Sequence, residues 1–274
     1  MKKDEVDNRP IGLFDSGIGG LTVLRSLMSH LPSESFVYLG DTARLPYGSK
    51  SPATIEKYLT QNIRFLCGLD VKTIVVACNS ASTVLLGKEP AFDVPVYNVI
   101  EPGAKAALNA SIGKRIGVLG TKATIAARAY TTAIHALDRD AHVFGQACPL
   151  LVPLVEEGWE DDPLTNLVIY RYLNPIVQNK IDTLILGCTH YPALRTGIMK
   201  VAGPSIEIVD SAEVIATMLR ADLESGRLKP SQNSSPLKIM TTDVSESFRE
   251  VAARLMRPHA IPELQLVDIG TAKD

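Results

Sequence analysis

Hydrophobic positions along this chain fall into short apolar runs that alternate with stretches of helical spacing. "SFVYLGD" and "VPVYNVI" are typical of strands, and "TIVVAC" is a β-branched run suited to a strand buried on both faces of a parallel sheet. Between them, "TIEKYLTQNIRFLCGL" places Ile55, Leu59, Ile63 and Leu66 on one side of a helix. Strands that alternate with helices indicate βαβ units and therefore an α/β fold.

The pattern then restarts, which suggests a duplicated unit. "RIGVLGTKATI" (115–125) resembles "PIGLFDSGIGG" (10–20), and "TLILGCTHYP" (183–192) resembles "TIVVACNSAS" (73–82). Any two buried strands look somewhat alike, but two matches in the same order at nearly the same offset favour duplication. After the loop "ESGRLKPSQNSSP", the tail shows a strand, a helix and a strand that complete one of the two lobes.

Composition narrows the classes of protein. The chain has 274 residues, 46% of them hydrophobic and 21% charged, which is enough apolar material for one large or two modest cores. The formal net charge is −2, so the composition lacks the excess of basic residues that is typical of nucleic-acid-binding proteins. No run approaches the roughly 20 apolar residues that span a bilayer, and the polar start "MKKDEVDNRP" lacks the apolar region of a signal peptide.

Four cysteines are spread thinly along the chain, and no two form a C-x-x-C pair. This spacing argues against a zinc ribbon, a thioredoxin-type motif and a disulfide framework. A reduced, cytoplasmic setting fits best. We expect Cys67 and Cys148 to be small buried hydrophobes, and we expect no metal site.

Polar groups follow the predicted strands, where open parallel sheets bind ligands. These groups are Asp15-Ser16-Gly17, Asp41, Cys78-Asn79-Ser80, Thr121 and Cys188-Thr189-His190. Two lobes that face each other would collect them in one cleft. Each group also has a purely structural interpretation, in which Asp15 only caps a helix, Asp41 and the Pro46-Tyr47-Gly48 segment only form turns, and His190 is a structural imidazole. "DSGIGG" lacks the full spacing of a phosphate loop, so nucleotide binding is a weak interpretation.

Cys78 and Cys188 stand out because each follows a strand at an equivalent place in the two half-repeats. Small polar residues after each can start a helix, whose N-terminus would lower the thiol pKa below its free value of about 8.5. Acyl transfer needs only one thiol, and disulfide exchange usually uses cysteines close in sequence. Stereoinversion uses both: one thiolate removes a proton from one face of a carbon, and the other thiol protonates the opposite face.

Several separated motifs closely resemble those of the glutamate racemases, within the cofactor-independent aspartate/glutamate racemase family. The motifs are "GLFDSGIGGLTV", "GDTARLPYG", "VVACNSAS", "VIEPG", "VLGTKAT" and "LGCTHYP". The resemblance implies two pseudo-symmetric lobes, each a mostly parallel sheet flanked by helices, with the site between them. It places residues 1–99 and 208–274 in the first lobe and 100–207 in the second. It also implies no cofactor and no metal, glutamate as substrate, a role in peptidoglycan synthesis and a homodimer.

By the same resemblance, Cys78 is the base for D-glutamate, assisted by Asp15, and Cys188 is the base for L-glutamate, assisted by His190. Asp41 and Glu101 match supporting acidic positions. The substrate contacts implied are Asp15, Ser16, Tyr47, Gly48, Asn79, Ser80, Thr121, Thr189 and His190. Many members have Thr where this chain has Ser80, which keeps the hydroxyl and loses a methyl group. Aspartate racemization and non-catalytic amino-acid binding remain the competing functions.

Overall fold

The computed structural model describes residues 6–233 and 235–270; residues 1–5 of the polar start lie outside this part of the chain. Its strands are β1 (Ile11–Asp15), β2 (Phe36–Gly40), β3 (Thr73–Val76), β4 (Val96–Asn98), β5 (Arg115–Gly120), β6 (His142–Ala147), β7 (Thr183–Gly187), β8 (Glu207–Asp210), β9 (Lys238–Thr241) and β10 (Leu264–Leu266). Its α-helices are α1 (Leu21–His30), α2 (Pro52–Cys67), α3 (Asn79–Leu85), α4 (Ile100–Ala110), α5 (Lys122–Ala126), α6 (Ala129–Leu137), α7 (Leu151–Glu156), α8 (Pro163–Val177), α9 (Arg195–Ala202), α10 (Ser211–Glu224) and α11 (Glu246–Leu255).

The strands form two parallel sheets, which confirms the α/β class. Within the described residues, one sheet has the order β10-β9-β2-β1-β3-β4 and the other β6-β5-β7-β8. Every strand pair is parallel. The order β2-β1-β3-β4 in the first sheet matches β6-β5-β7-β8 in the second, with β5 equivalent to β1 and β7 to β3. This shared topology supports the duplication inferred from the two repeated motifs.

Local sequence explains why the elements begin and end where they do. At the start of α2, the Ser51 side chain accepts a hydrogen bond from the Thr54 amide at 3.3 Å, and Pro52 occupies the first helical turn. The predicted apolar side of α2, from Ile55 to Leu66, is buried against the sheet. Strands β1, β3 and β7 are buried along their whole length, as expected for central strands of a parallel sheet covered on both faces.

The tail supplies β9, α11 and β10, and both strands extend the first sheet beside β2. Strand β8 (Glu207–Asp210) pairs with β7, so the second sheet ends at Asp210 and the expected return at residue 208 falls inside its last strand. Helix α10 then packs against α1 of the first lobe and α4 of the second. In the part of the chain that the structure describes, no helix is long and apolar enough to cross a membrane.

Candidate active site

A cleft of about 260 Å³ opens between the two lobes at the carboxyl ends of the strands. From the first lobe, Ser16, Tyr47, Gly48, Cys78, Asn79 and Ser80 line it. From the second lobe, Thr121, Cys188, Thr189 and His190 complete the predicted set of lining residues. Both sheets therefore contribute the polar residues that follow their strands, and the volume suits a small molecule rather than a macromolecule.

Cys78 lies just beyond β3 and precedes the first residue of α3. Its side chain is buried, and Sγ donates to Ser16 Oγ at 3.4 Å. Burial and then the charge of Asp15 raise the pKa of Cys78 to about 12. The expectation of a lowered pKa is wrong for Cys78 in this structure, because desolvation and a nearby carboxylate oppose the thiolate more than the short α3 favours it.

Cys188 follows β7, where Gly187 ends the strand against the carbonyl of Leu119. A turn and one 3₁₀ turn separate it from α9, so the expected helix start directly after this cysteine is wrong. Its Sγ lies 3.9 Å from Nδ1 of His190, within hydrogen-bonding range for sulfur. Cys188 therefore meets an imidazole rather than a helix N-terminus.

His190 is held from its other side by a carboxylate that the sequence analysis missed. Its Nε2 lies 3.0 Å from Oε1 of Glu156, at the end of α7. Burial lowers the pKa of His190, but hydrogen bonds to Cys188 and Glu156 outweigh it and raise the pKa to about 10. The result is a chain from carboxylate to imidazolium to thiol. No strand-end pattern points to Glu156, because it lies at the end of a short helix.

Asp15, at the end of β1, is fully buried and lies behind the lining residues rather than among them. Its carboxylate accepts hydrogen bonds from the Gly17 amide at 3.0 Å and from Thr189 Oγ1 at 3.3 Å. Burial raises the pKa of Asp15, and the charge of His190 offsets part of this rise. Asp15 thus connects the first lobe to the segment that carries Cys188.

The glycine-rich "DSGIGG" loop brings the lobes into close contact. A Cβ atom on Gly19 would lie 2.3 Å from Nδ1 of His190 and 2.4 Å from Oγ1 of Thr189. Only glycine leaves room for these two side chains at that position. The Thr22 hydroxyl also donates to the Thr189 carbonyl at 2.7 Å. In this structure the loop serves close packing against the second lobe.

Asp41 does not line the cleft but holds a residue that does. It is fully buried, and its carboxylate accepts from Arg44 Nε at 2.7 Å, from Thr242 Oγ1 at 3.0 Å and from the Tyr47 hydroxyl. Tyr47 lines the cleft beside Gly48. Asp41 therefore holds the Tyr47 hydroxyl from behind the cleft, and its supporting role in the reaction stays a prediction.

Hydroxyl and amide groups form the remaining polar wall. Ser80 Oγ and Thr121 Oγ1 lie 2.9 Å apart and connect the two lobes. Asn79 is 2% exposed, and its Oδ1 accepts from the Tyr130 hydroxyl at 2.7 Å. Its Nδ2 makes no hydrogen bond to any described residue. Tyr130, on α6, is a second site-associated residue that the sequence analysis did not single out.

Glu101 does not belong to this cleft. It lies in the first turn of α4 and accepts from Asn98 Nδ2 at 2.9 Å. Both residues line a different cavity of about 1030 Å³ between α4 and α10. Although that cavity is larger, neither Cys78 nor Cys188 lines it, so the smaller cleft is the candidate active site.

Comparison with known proteins agrees with the fold and the motifs. A model of the Asp/Glu/hydantoin racemase family matches residues 21–219. The glutamate racemase of Syntrophus aciditrophicus is 43% identical over 271 residues, covering 98% of this chain and 100% of that protein. A glutamate racemase isoform of Bacillus anthracis superposes with a TM-score of 0.89 at 38% identity, covering 95% of this chain and 97% of that one.

The structure of the Francisella tularensis glutamate racemase in complex with D-glutamate also superposes with a TM-score of 0.89. It is 37% identical and covers 97% of this chain and 99% of that one. With a family match across most of its length, and relatives of this similarity over nearly all of it, the chain belongs to the Asp/Glu/hydantoin racemase family.

Proposed function

We propose that this protein is a glutamate racemase that interconverts L- and D-glutamate without a cofactor. The observation that carries the proposal is the placement of Cys78 and Cys188. They follow the equivalent strands β3 and β7, and both line one small cleft between the lobes. The similarity to glutamate racemases over nearly the whole chain supports glutamate as the substrate. The product then serves peptidoglycan synthesis in the cytoplasm.

In each turnover one cysteine thiolate removes the α-proton from one face of the α-carbon, and the other cysteine thiol donates its own proton to the opposite face. With L-glutamate, Cys188 removes the α-proton and Cys78 donates a proton to the opposite face; with D-glutamate the roles exchange. The imidazolium of His190, held by Glu156, stabilises negative charge on Cys188. Cys78 has Ser16 as its hydrogen-bond partner, and the buried Asp15 lies close enough for its charge to raise the Cys78 pKa.

The α-proton of a free amino acid is very weakly acidic, so the site must stabilise charge that spreads into the carboxylate. The Asn79 Nδ2 group and the hydroxyls of Ser80 and Thr121 are donors at the cleft. The Thr189 hydroxyl donates to Asp15 in this structure and would have to turn toward the substrate to join them. Donors fixed in a water-poor site stabilise such charge far more than water does. Contacts between the lobes, such as Ser80 with Thr121, hold the donors around the substrate.

Racemization of glutamate tests the proposal directly. Circular dichroism should show L-glutamate and D-glutamate converging on the same zero signal with the wild-type protein. Loss of signal with aspartate alone would instead make the protein an aspartate racemase. Binding of glutamate without any racemization would indicate an amino-acid-binding module.

The two-base mechanism has a sharper test in the single variants Cys78→Ala and Cys188→Ala. Because the enantiomers have equal free energy, each variant must lower kcat/KM equally in both directions, by about 10²- to 10⁴-fold for loss of a positioned acid or base. In heavy water, Cys188→Ala should still exchange the α-proton of D-glutamate, and Cys78→Ala that of L-glutamate, without inversion. Cys67→Ala, at a half-buried cysteine outside the cleft, is the matched control. Full activity in either active-site variant would exclude the mechanism.

We also propose that the protein forms a homodimer through α8. Leu164, Leu167 and Tyr170 on its outer face are 48%, 66% and 57% exposed. Sedimentation should show a dimer that Leu167→Glu converts to a monomer, whereas Ile112→Glu, at a 96% exposed position elsewhere, should stay dimeric. A dimer unchanged by Leu167→Glu would exclude this face.

A further inference from the structure

The side-chain amide of Asn79 is fixed from behind the cleft by a buried tyrosine. The Tyr130 hydroxyl donates to Asn79 Oδ1 at 2.7 Å. Tyr130 comes from α6 of the second lobe, whereas Asn79 begins α3 of the first lobe. Both side chains are 2% exposed, so water does not compete for this hydrogen bond. The contact therefore spans the two lobes beside the cleft.

The Tyr130 ring has little freedom to move. A Cβ atom on Gly103 would lie 3.2 Å from its Cε1, and one on Gly187 would lie 3.2 Å from its Cε2. Two glycines, on α4 and at the end of β7, thus leave a slot that the ring fills. Gly187 directly precedes Cys188, so the same slot connects the ring to the strand that presents the second thiol. The position of the hydroxyl is set by packing on both edges of the ring.

The orientation of the Asn79 amide follows from the hydrogen bond that the buried Tyr130 hydroxyl must donate. Burial raises the pKa of Tyr130 above its usual value, so the phenol keeps its proton. Among the described residues, Asn79 Oδ1 is the acceptor observed for that proton. A flipped amide would leave the buried hydroxyl proton unpaired and would turn a carbonyl oxygen toward the cleft. An unpaired buried donor is costly, so the observed orientation is favoured.

One polar atom is left over on the cleft side. Asn79 lines the cleft, and its Nδ2 is buried and makes no hydrogen bond to any residue in the described ranges. A buried donor without a partner at a ligand cleft fits an acceptor on the ligand. The proposed substrate offers such acceptors only in its carboxylate oxygens.

We infer that Tyr130 is a positioning residue that holds the Asn79 amide with Nδ2 facing the cleft, where it donates to a carboxylate oxygen of the substrate. This inference rests on the proposed racemase function. It assigns Tyr130 no contact with substrate and no proton transfer. Its effect passes entirely through Asn79, and that dependence makes it testable.

A double-mutant cycle tests the dependence. Tyr130→Phe keeps the ring and removes the hydroxyl, Asn79→Ala removes the amide, and the double variant removes both. Calorimetry gives the dissociation constant for glutamate, and circular dichroism gives kcat/KM. Tyr130→Phe should weaken glutamate binding by about 10- to 100-fold when Asn79 is present, because the hydrogen bond from Asn79 Nδ2 to the charged substrate carboxylate is then lost. The same change made in the Asn79→Ala variant should weaken binding by less than about 3-fold.

Tyr97→Phe is the control, because the Tyr97 hydroxyl donates to Asp222 Oδ2 at 2.8 Å beside the other cavity. It should leave glutamate binding unchanged. If Tyr130→Phe weakens glutamate binding equally with and without the Asn79 amide, the hydroxyl acts through general packing and the inference is overturned. Unchanged glutamate binding in Tyr130→Phe or in Asn79→Ala would overturn it as well. A wild-type protein that neither binds nor racemizes glutamate would overturn the proposed function and, with it, this inference. Racemization by the wild type with a failed cycle would overturn the inference alone.

Discussion

Replacing Glu156 with Gln removes the carboxylate charge that faces His190 and keeps the shape of the side chain. In the native protein the Nε2–Oε1 distance is 3.0 Å, and the pKa of His190 is raised to about 10. A hydrogen bond between charged groups contributes about 1.5–3 kcal/mol. The Glu156 side chain is 37% exposed, so water screens the pair and the lower value applies. About 1.5 kcal/mol corresponds to about one pKa unit.

The pKa of His190 in Glu156→Gln should therefore fall by about one unit. The alkaline limb of the kcat/KM profile should move to lower pH by the same amount, equally for L- and D-glutamate, because loss of the imidazolium leaves charge on Cys188 less stabilised. Histidine NMR titration and a pH series of racemization rates measure the two shifts. An alkaline limb that stays in place while the His190 titration moves would show that His190 does not control the activity of Cys188.

The same pair predicts a pH-dependent stability difference. Because the folded pKa of His190 is above its unfolded value of about 6.5, the stabilisation is complete below that value and is lost as pH rises toward about 10. Urea unfolding should show Glu156→Gln less stable than wild type by about 1.5 kcal/mol from about pH 6 to about pH 8, because His190 is protonated in both folded proteins there. The difference should shrink above about pH 9, as His190 loses its proton first in the variant and then in the wild type. A difference independent of pH would mean that Glu156 stabilises the fold by packing instead.

Two further predictions concern burial and close contact. Lys72 forms an ion pair with Glu34 at 2.5 Å, and both side chains are almost fully buried. Lys72→Met leaves the Glu34 charge buried without its partner, so urea unfolding should show a free energy of unfolding lower by about 3–5 kcal/mol. The control Lys88→Met breaks a half-exposed pair with Glu56 and should lower it by less than about 1 kcal/mol. Equal costs would refute the burial argument. A Cβ atom on Gly48 would lie 2.7 Å from Thr121 Cβ. Gly48→Ala should therefore push the two lobes apart and lower kcat/KM for glutamate about tenfold or more. Unchanged racemization in this variant would contradict the prediction.

Much of this architecture can be predicted from the hydrophobic pattern. Apolar runs in parallel sheets are buried on both faces, so β1, β3 and β7 are recognisable without tertiary information. Because parallel strands end at the same edge of a sheet, the residues after them share one region, and eight of the polar residues predicted at strand ends line the cleft. Tyr47 and Gly48, which only the family resemblance implied as contacts, line it as well. The repeated motifs also predicted two lobes, whose sheets share one strand order.

Only the tertiary structure decided which residues from other elements contact the strand-end side chains, and which protonation states those side chains favour. Glu156 and Tyr130 lie on short helices away from the strand ends, so only packing brings them to His190 and Asn79. The raised pKa of Cys78 depends on desolvation by the assembled lobes, which no local helix signal reveals. The sequence by itself determined which chemical groups end the strands, because that order is local. Their burial, partners and proton affinities required the assembled cleft between the two lobes, because these properties depend on residues far apart in the chain.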